Sequence, residues 1–212
     1  MRQRLVETAL LVFAEKGVGA SVIPDVVAAA GVSQGSFYNY FRSNEELLAA
    51  VGDELSGELV QLIEPVVGDI ADPALRVATG IRCYLHYART HRLLARFLAA
   101  AGLPLLARHS AALRYLPADV EEGQRSSLFD ATPLPILLDL ITGTGLAAID
   151  RMARGRVGRD YPDNIVASML RALGMQREAV SGLVNAPLPK LKAAAGSLLV
   201  RAQARADEAQ TG

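Results

Sequence analysis

Cysteine is nearly absent: Cys83 is the only one in 212 residues. A single thiol excludes an intrachain disulfide and any Cys-x-x-Cys zinc or redox site, and it fits a reducing compartment. Lysine is scarce as well. Only Lys16, Lys190 and Lys192 stand among 22 basic residues, a bias that, with the abundant alanine, reads as genome base composition rather than function. No sign of charge prevails, since 22 acidic residues balance the basic ones. That balance excludes a generally basic coat protein and an acidic disordered tail. Long apolar runs are missing too. The longest uncharged stretch, 26–41, contains Ser, Gln and Asn and is no membrane span. Residues 1–17 carry Glu7 and Glu15 and lack a small-residue cleavage site, so they do not read as a signal peptide. The expectation is a soluble, cytoplasmic protein. His86, His91 and His109 fall at no metal-ligand spacing, and H-E-x-x-H does not occur. No metal and no cofactor is expected.

What the chain does have is apolar content, 51% of all residues, arranged with a helical period. A chain of this length buries about 70% of its unfolded surface and needs no covalent staple. Val6, Ala9, Leu10 and Phe13 repeat at i, i+3, i+4, i+7, with Gly17 placed to stop the first helix. A short helix over 22–30 follows, with Ser21 as N-cap, Pro24 in its first turn and Gly31 after it. Ser33 caps a third helix over 34–41. Ser43 caps a fourth, with Glu46 three residues on to complete a capping box. The fourth helix is predicted to reach about 63 and to stop near Pro65 and Gly68. Asp72-Pro73 opens a helix to about 90. Further helices are predicted over 91–101, 103–124 with a break at Pro117, 133–153, 162–173 stopped by Gly174, and 189–209 after a Pro187/Pro189 linker. No alternating pattern suggests a strand, so the chain is all-α, with nine or ten helices.

The most informative stretch is PDVVAAAGVSQGSFYNYF. Two short helices meet at a tight turn on Gly31, and Ala29 and Ala30 permit a close crossing. Phe37 and Phe41 share one face of the second helix and should be core. The other face shows Gln34, Ser36 and Asn39, flanked by Tyr38 and Tyr40, with no acidic residue from 26 to 43. Short polar side chains at a helix N-terminus reach base edges in a major groove, and tyrosine hydroxyls bind phosphate. An ordinary helical hairpin with an aromatic core has the same spacing.

These residues carry a resemblance. A first helix ending in FAEKG, followed by DVVAAAGVSQGSFYNYFRSNEELL, resembles the N-terminal domain of the tetracycline-repressor (TetR) family over residues 5–48. The resemblance implies an N-terminal three-helix helix-turn-helix DNA-binding domain over 1–48 and a C-terminal helical effector-binding and dimerisation domain over 49–212. It implies that Ser33 caps the recognition helix, that Gln34, Ser36 and Asn39 face bases beside Gly35, and that Tyr38 and Tyr40 contact backbone or bases. Three positions depart from the family pattern. Asn44 stands where a lysine is frequent and is expected to donate to a phosphate without bringing charge. Val18 stands where an aromatic is usual, and only Arg2 and Arg4 represent the basic extension before the first helix. Residues 1–50 carry four basic and five acidic side chains, so non-specific affinity should be weak and its salt slope shallow.

Two motifs point elsewhere. GVSQG, at 31–35, formally matches the G-x-S-x-G nucleophile elbow, but that elbow needs a preceding strand where a helix is predicted. GTGLAA, at 143–148, formally matches a dinucleotide fingerprint through Gly143 and Gly145, with Asp160 or Asp163 at the acidic position. A Rossmann domain needs several βα units, and the chain shows no others. Small residues that let a helix pack closely are the plainer reading. Arg89, Arg92 and Arg96 recur at i, i+3, i+7, which reads as a solvated face or else an anion- or DNA-facing one.

The function implied is a repressor that binds a palindromic operator as a homodimer, with recognition helices about 34 Å apart, and that a small molecule releases. The alternative is a regulator controlled by a protein partner. The helices at 133–153 and 162–173 are expected to form a four-helix dimer interface, with Asp150, Arg151 and Arg154 toward its rim. For the effector, Ala74, Val77, Ala78, Ile81, Tyr84, Leu85 and Ala88 form one apolar stripe facing inward. With Phe97, Leu98, Leu105 and Leu106, and the hydroxyls of Thr142 and Thr144, they would line a mainly apolar site for a neutral or weakly polar ligand.

Overall fold

The computed structural model describes residues 1–19, 22–109 and 115–211, apart from the side chains of 104–109 and 209–211. Among the described residues there are eleven helices and no strand, one or two helices more than the sequence predicts. They are α1 (Arg2–Lys16), α2 (Ile23–Ala30), α3 (Gln34–Tyr38), α4 (Asn44–Val67), α5 (Pro73–Thr90), α6 (Arg92–His109), α7 (Leu116–Arg125), α8 (Leu134–Arg154), α9 (Tyr161–Ala172), α10 (Arg177–Asn185) and α11 (Leu198–Thr211). No helix among the described residues is long and apolar enough to cross a membrane.

Local signals set most helix starts. Asp72 accepts from the Ala74 and Leu75 amides at 2.8 and 3.1 Å and opens α5 where the sequence predicts. Ser43 accepts from Glu46 N at 3.2 Å. The returning Glu46 carboxylate takes the Arg42 amide at 2.7 Å, one residue earlier than a capping box requires. Helix α2 starts at Ile23 behind Val22, which supplies no side-chain cap, and Ser21 lies outside the described residues. Helix α3 ends at Tyr38 rather than at 41.

The later helices depart further from the sequence reading. Helix α4 runs through Pro65 to Val67. Pro65 and Gln61 are both exposed, so water can serve the carbonyl that proline leaves unpaired. The predicted 91–101 and 103–124 helices join partly as α6, bent at Gly102, whose φ of +66° is non-helical. Pro117 starts α7 instead of interrupting a longer helix. Helix α10 is absent from the sequence reading. It is short, contains Ser181 and Gly182, and ends on a cap supplied from α5: buried Arg82 donates to the Leu183 and Ala186 carbonyls at 3.1 and 2.9 Å. Arg82 also donates to Asp163 at 2.7 Å, and His86 meets the other oxygen of that carboxylate at 3.0 Å. Helix α11 begins at Leu198, not 189, because the Glu58 carboxylate of α4 takes the Leu198 amide at 2.6 Å.

One hydrophobic cluster runs from Leu5 through Phe37, Leu47 and Phe97 to Leu199. Phe13 of α1 meets Phe97 of α6 with ring centroids 6.4 Å apart, so the first helix is packed on the body of the molecule. Charge reinforces that junction. Buried Glu7 of α1 accepts from Arg201 Nε at 2.8 Å and from Arg205 at 2.7 Å, while Arg201 also reaches Glu54 of α4 at 2.6 Å.

Candidate nucleic-acid interface and effector cavity

The turn between α2 and α3 is built around Gly31, at φ 61° and ψ 43°. The amides of Gly31 and Val32 close back on the Ala28 and Val27 carbonyls at 3.0 and 3.2 Å. Ser33 then caps α3 through Ser36 N at 3.1 Å, and the two serine hydroxyls lie 2.9 Å apart. Phe37 and Phe41 are fully buried and fix the helix from below. Gln34, Gly35, Asn39, Tyr38 and Tyr40 are exposed together on the outer side, the tyrosines at 51% and 43%. Ser36 is half-buried, its hydroxyl already engaged by Ser33.

Asn44 does not face outward. It is buried, and its amide donates to the Val18 carbonyl at 2.8 Å. It therefore anchors the loop after α1 instead of being free to meet a phosphate. Positive charge comes from elsewhere. The Arg2 guanidinium sits 5.3 Å from the Phe41 ring centroid, Arg4 approaches Gly31, and exposed Arg42 follows Phe41. The sequence alone gives no sign that Arg2 and Arg4 return to this helix.

The rival motifs have other roles. Ser33 lies between two helices as an N-cap, and Gly143 to Ala148 lie inside α8. Neither has the strand its enzymatic reading requires.

Between α4, α5, α7 and α8 lies a cavity of about 320 Å³. Its walls come from the second half of α4 (Leu59, Ile63, Glu64), from α5 (Arg76, Ile81, Tyr84), from the start of α7, and from α8 (Ile141, Thr142, Gly145). Of the residues expected at an effector site, Tyr84 and Thr142 line this cavity. The Tyr84 hydroxyl has no hydrogen-bond partner among the described residues, and burial pushes it far above the ordinary phenol range, so it is neutral. Thr142 donates to its own helix, to the Leu138 carbonyl at 2.8 Å, and keeps acceptor capacity.

The other predicted lining residues divide differently. Phe97 is buried in the junction with α1, against Phe13, and Leu98 is buried but does not line the cavity. Thr144 lies outside the wall, two positions from Thr142 and on another face of α8. The side chains of Leu105 and Leu106 lie outside the described residues. Sequence reasoning missed the contribution of α4 and the charged residues Glu64, Arg76 and Asp119. Only the α4 periodicity could have signalled it, since Leu59, Ile63 and Val67 recur at fourth positions.

Residues 5–51 match the family model of bacterial regulatory proteins, tetR family. Over this N-terminal segment the chain is similar to TetR-family regulators. It is similar to the HTH-type transcriptional repressor DhaR of Mycobacterium sp. (strain GP1), 40% identical over 76 residues, 36% of this chain and 38% of that protein. It is also similar to the HTH-type transcriptional repressor KstR2 of Rhodococcus jostii (strain RHA1), 35% identical over 66 residues, 29% of this chain and 32% of that one. The matched segments span less than two-fifths of these TetR-family relatives. Among solved structures, RolR in complex with resorcinol is 26% identical and covers 90% of this chain and 96% of its own, with a TM-score of 0.72. FadR of Bacillus subtilis, in complex with stearoyl-CoA, shares the fold at 22% identity, covering 80% of this chain and 96% of its own, with a TM-score of 0.62.

Proposed function

We propose that the protein is a transcriptional repressor whose homodimer binds a palindromic operator and is released by a small, mainly hydrophobic effector. One observation carries this reading: α4 connects the two sites. It starts three residues after Phe41, at the end of the recognition segment, and its second half forms a wall of the cavity. At 24 residues it is about 36 Å long, so a small displacement at the cavity end is delivered to the head. A molecule that fits the cavity in only one head arrangement shifts the equilibrium by its differential affinity for the two. The likeness to RolR, a structure with resorcinol bound, supports a small molecule over a protein partner as the control.

In this reading residues 1–48 form the DNA-binding head and 49–212 the effector and dimer body. Gln34, Gly35, Ser36, Tyr38, Asn39 and Tyr40 meet the DNA, and Arg2, Arg4 and Arg42 serve phosphates. The dimer forms through α8 and α9. Ile136, Leu140, Gly143 and Ala147 lie on one side of α8, with Ile136 54% exposed and open space above Gly143. Such small residues allow close approach of a second copy.

The test is fluorescence anisotropy with DNA fragments flanking the gene, together with sedimentation. Wild type should bind as a dimer, and Gln34→Ala and Tyr38→Ala should lose binding while circular dichroism is unchanged. Wild-type footprints from both variants would overturn the assignment, and a micromolar monomer would overturn the dimer.

A further inference from the structure

The cavity is apolar over most of its wall, but its charges are not balanced in favour of anions. Among the described residues its lining holds one cation, Arg76, and two carboxylates, Glu64 and Asp119. Arg76 is already committed. Its Nε donates to Asp119 at 2.7 Å, Nη1 to the Ile70 carbonyl at 2.6 Å, and Nη2 to Glu122. Burial works against its charge, but the two carboxylates more than compensate and raise its pKa. The guanidinium is thus a permanent cation turned toward the protein's own acids, with its fork in use.

Glu64 is different. It lies half-buried one turn before the end of α4 and has no hydrogen-bond or ion-pair partner among the described residues. Its carboxylate rests beside Gly68, where a Cβ would stand 3.3 Å from the near oxygen, so the absence of a side chain there leaves it room. The Tyr84 hydroxyl, also unpartnered, comes from α5 into the same cavity. An ionised carboxylate in a mainly apolar wall gains from a donor and repels a second negative charge. At about 320 Å³ the cavity is at the small end of the usual range of about 300–1,000 Å³, which suits one compact ring system.

Building on the reading of this cavity as the effector site, we propose that the site selects by charge. It accepts a compact, uncharged or cationic molecule that donates an O–H or N–H hydrogen bond to Glu64, and it rejects carboxylates and phosphate-bearing ligands. Glu64 is the specificity-determining residue, and Tyr84 supplies a second, neutral hydrogen-bonding position.

A matched set of probes tests this on the full chain at pH 7: 4-ethylphenol, 4-ethylbenzylamine, 4-ethylanisole and 4-ethylbenzoate. Affinities are measured by calorimetry, with melting temperature as a second readout. In wild type the phenol and the amine should bind, and the benzoate should bind at least tenfold more weakly than the phenol. Glu64→Gln keeps the shape and removes the charge. It should bring the benzoate within threefold of the phenol and weaken the amine at least tenfold. A benzoate as tight as the phenol in wild type, or an order of affinities unchanged by Glu64→Gln, would overturn the charge selection. Tyr84→Trp fills the cavity and separates this failure from that of the underlying reading. If the phenol and amine bind Tyr84→Trp as they bind wild type, the ligand site is elsewhere and the effector-site reading falls. If none of the four binds at millimolar concentration, both readings fall.

Discussion

Replacing Arg201 by Met tests the junction between the first and last helices. Arg201 gives Glu7 a hydrogen bond at 2.8 Å and Glu54 one at 2.6 Å, and it also donates to the Gly196 carbonyl. The Glu7 side chain is only 7% exposed, and that of Arg201 is 23% exposed. Hydrogen bonds to a charged group contribute about 1.5–3 kcal/mol each. Glu7 would keep Arg205, and Glu54, 32% exposed, would return to water at little cost. The expected loss is therefore about 2 kcal/mol, or roughly 4–8 °C in Tm for a chain of this size. The pH dependence has a defined sign. Burial pushes the Glu7 pKa up, but hydrogen bonds from Arg201 and Arg205 outweigh it and hold the group below its ordinary value of 4.5. A depressed carboxylate stabilises the fold above its unfolded pKa and ceases to do so as pH falls through the folded one. The gap between wild type and Arg201→Met should be constant near neutrality and close below about pH 4.5. Urea unfolding followed by circular dichroism at pH 7 and at pH 3.5 measures both quantities. Arg201→Lys, which keeps the charge without the fork, should lie between the two. An Arg201→Met variant within about 0.5 kcal/mol of wild type, as for an ordinary surface change, or a gap that persists unchanged at low pH, would refute the reasoning.

Cys83 is 2% exposed, and burial, opposed only weakly by Arg82, pushes its thiol up to about 11. It should resist a disulfide reagent at pH 8 in the native protein and react fully after denaturation; rapid native labelling would contradict this. Gly174 has φ +99°, and a Cβ there would stand 2.3 Å from the Asp130 carboxyl carbon. Asp130 is held nearby because its backbone N–H donates to the Leu173 carbonyl at 2.8 Å, so Gly174→Ala should destabilise by more than about 1 kcal/mol in chemical unfolding. A neutral result would mean that the loop shifts freely.

The exposed face of α3 was legible because its signals are local. Ser33 and Gly31 act within four residues of themselves, and alternation of Phe37 and Phe41 with Gln34 and Tyr38 assigns inside and outside without reference to the rest of the chain. Asn44 shows the limit. Its position at the start of a helix is correct, but which way its amide points depends on the Val18 carbonyl, 26 residues away.

The sequence by itself determined the all-helical class, the caps at Ser33, Ser43 and Asp72, and the outward set on α3, since caps and periodicity operate over one or two turns. Tertiary structure alone decided the rest. It sent Phe97 into the junction with α1 rather than the cavity, brought Glu64 of α4 and Tyr84 of α5 to one cavity, closed α10 with Arg82, and joined Glu7 to Arg201 across 194 residues. An apolar or charged residue records that it will be buried or paired. Its partner is chosen by how whole helices cross, and that crossing is a property of surfaces brought together from distant parts of the chain.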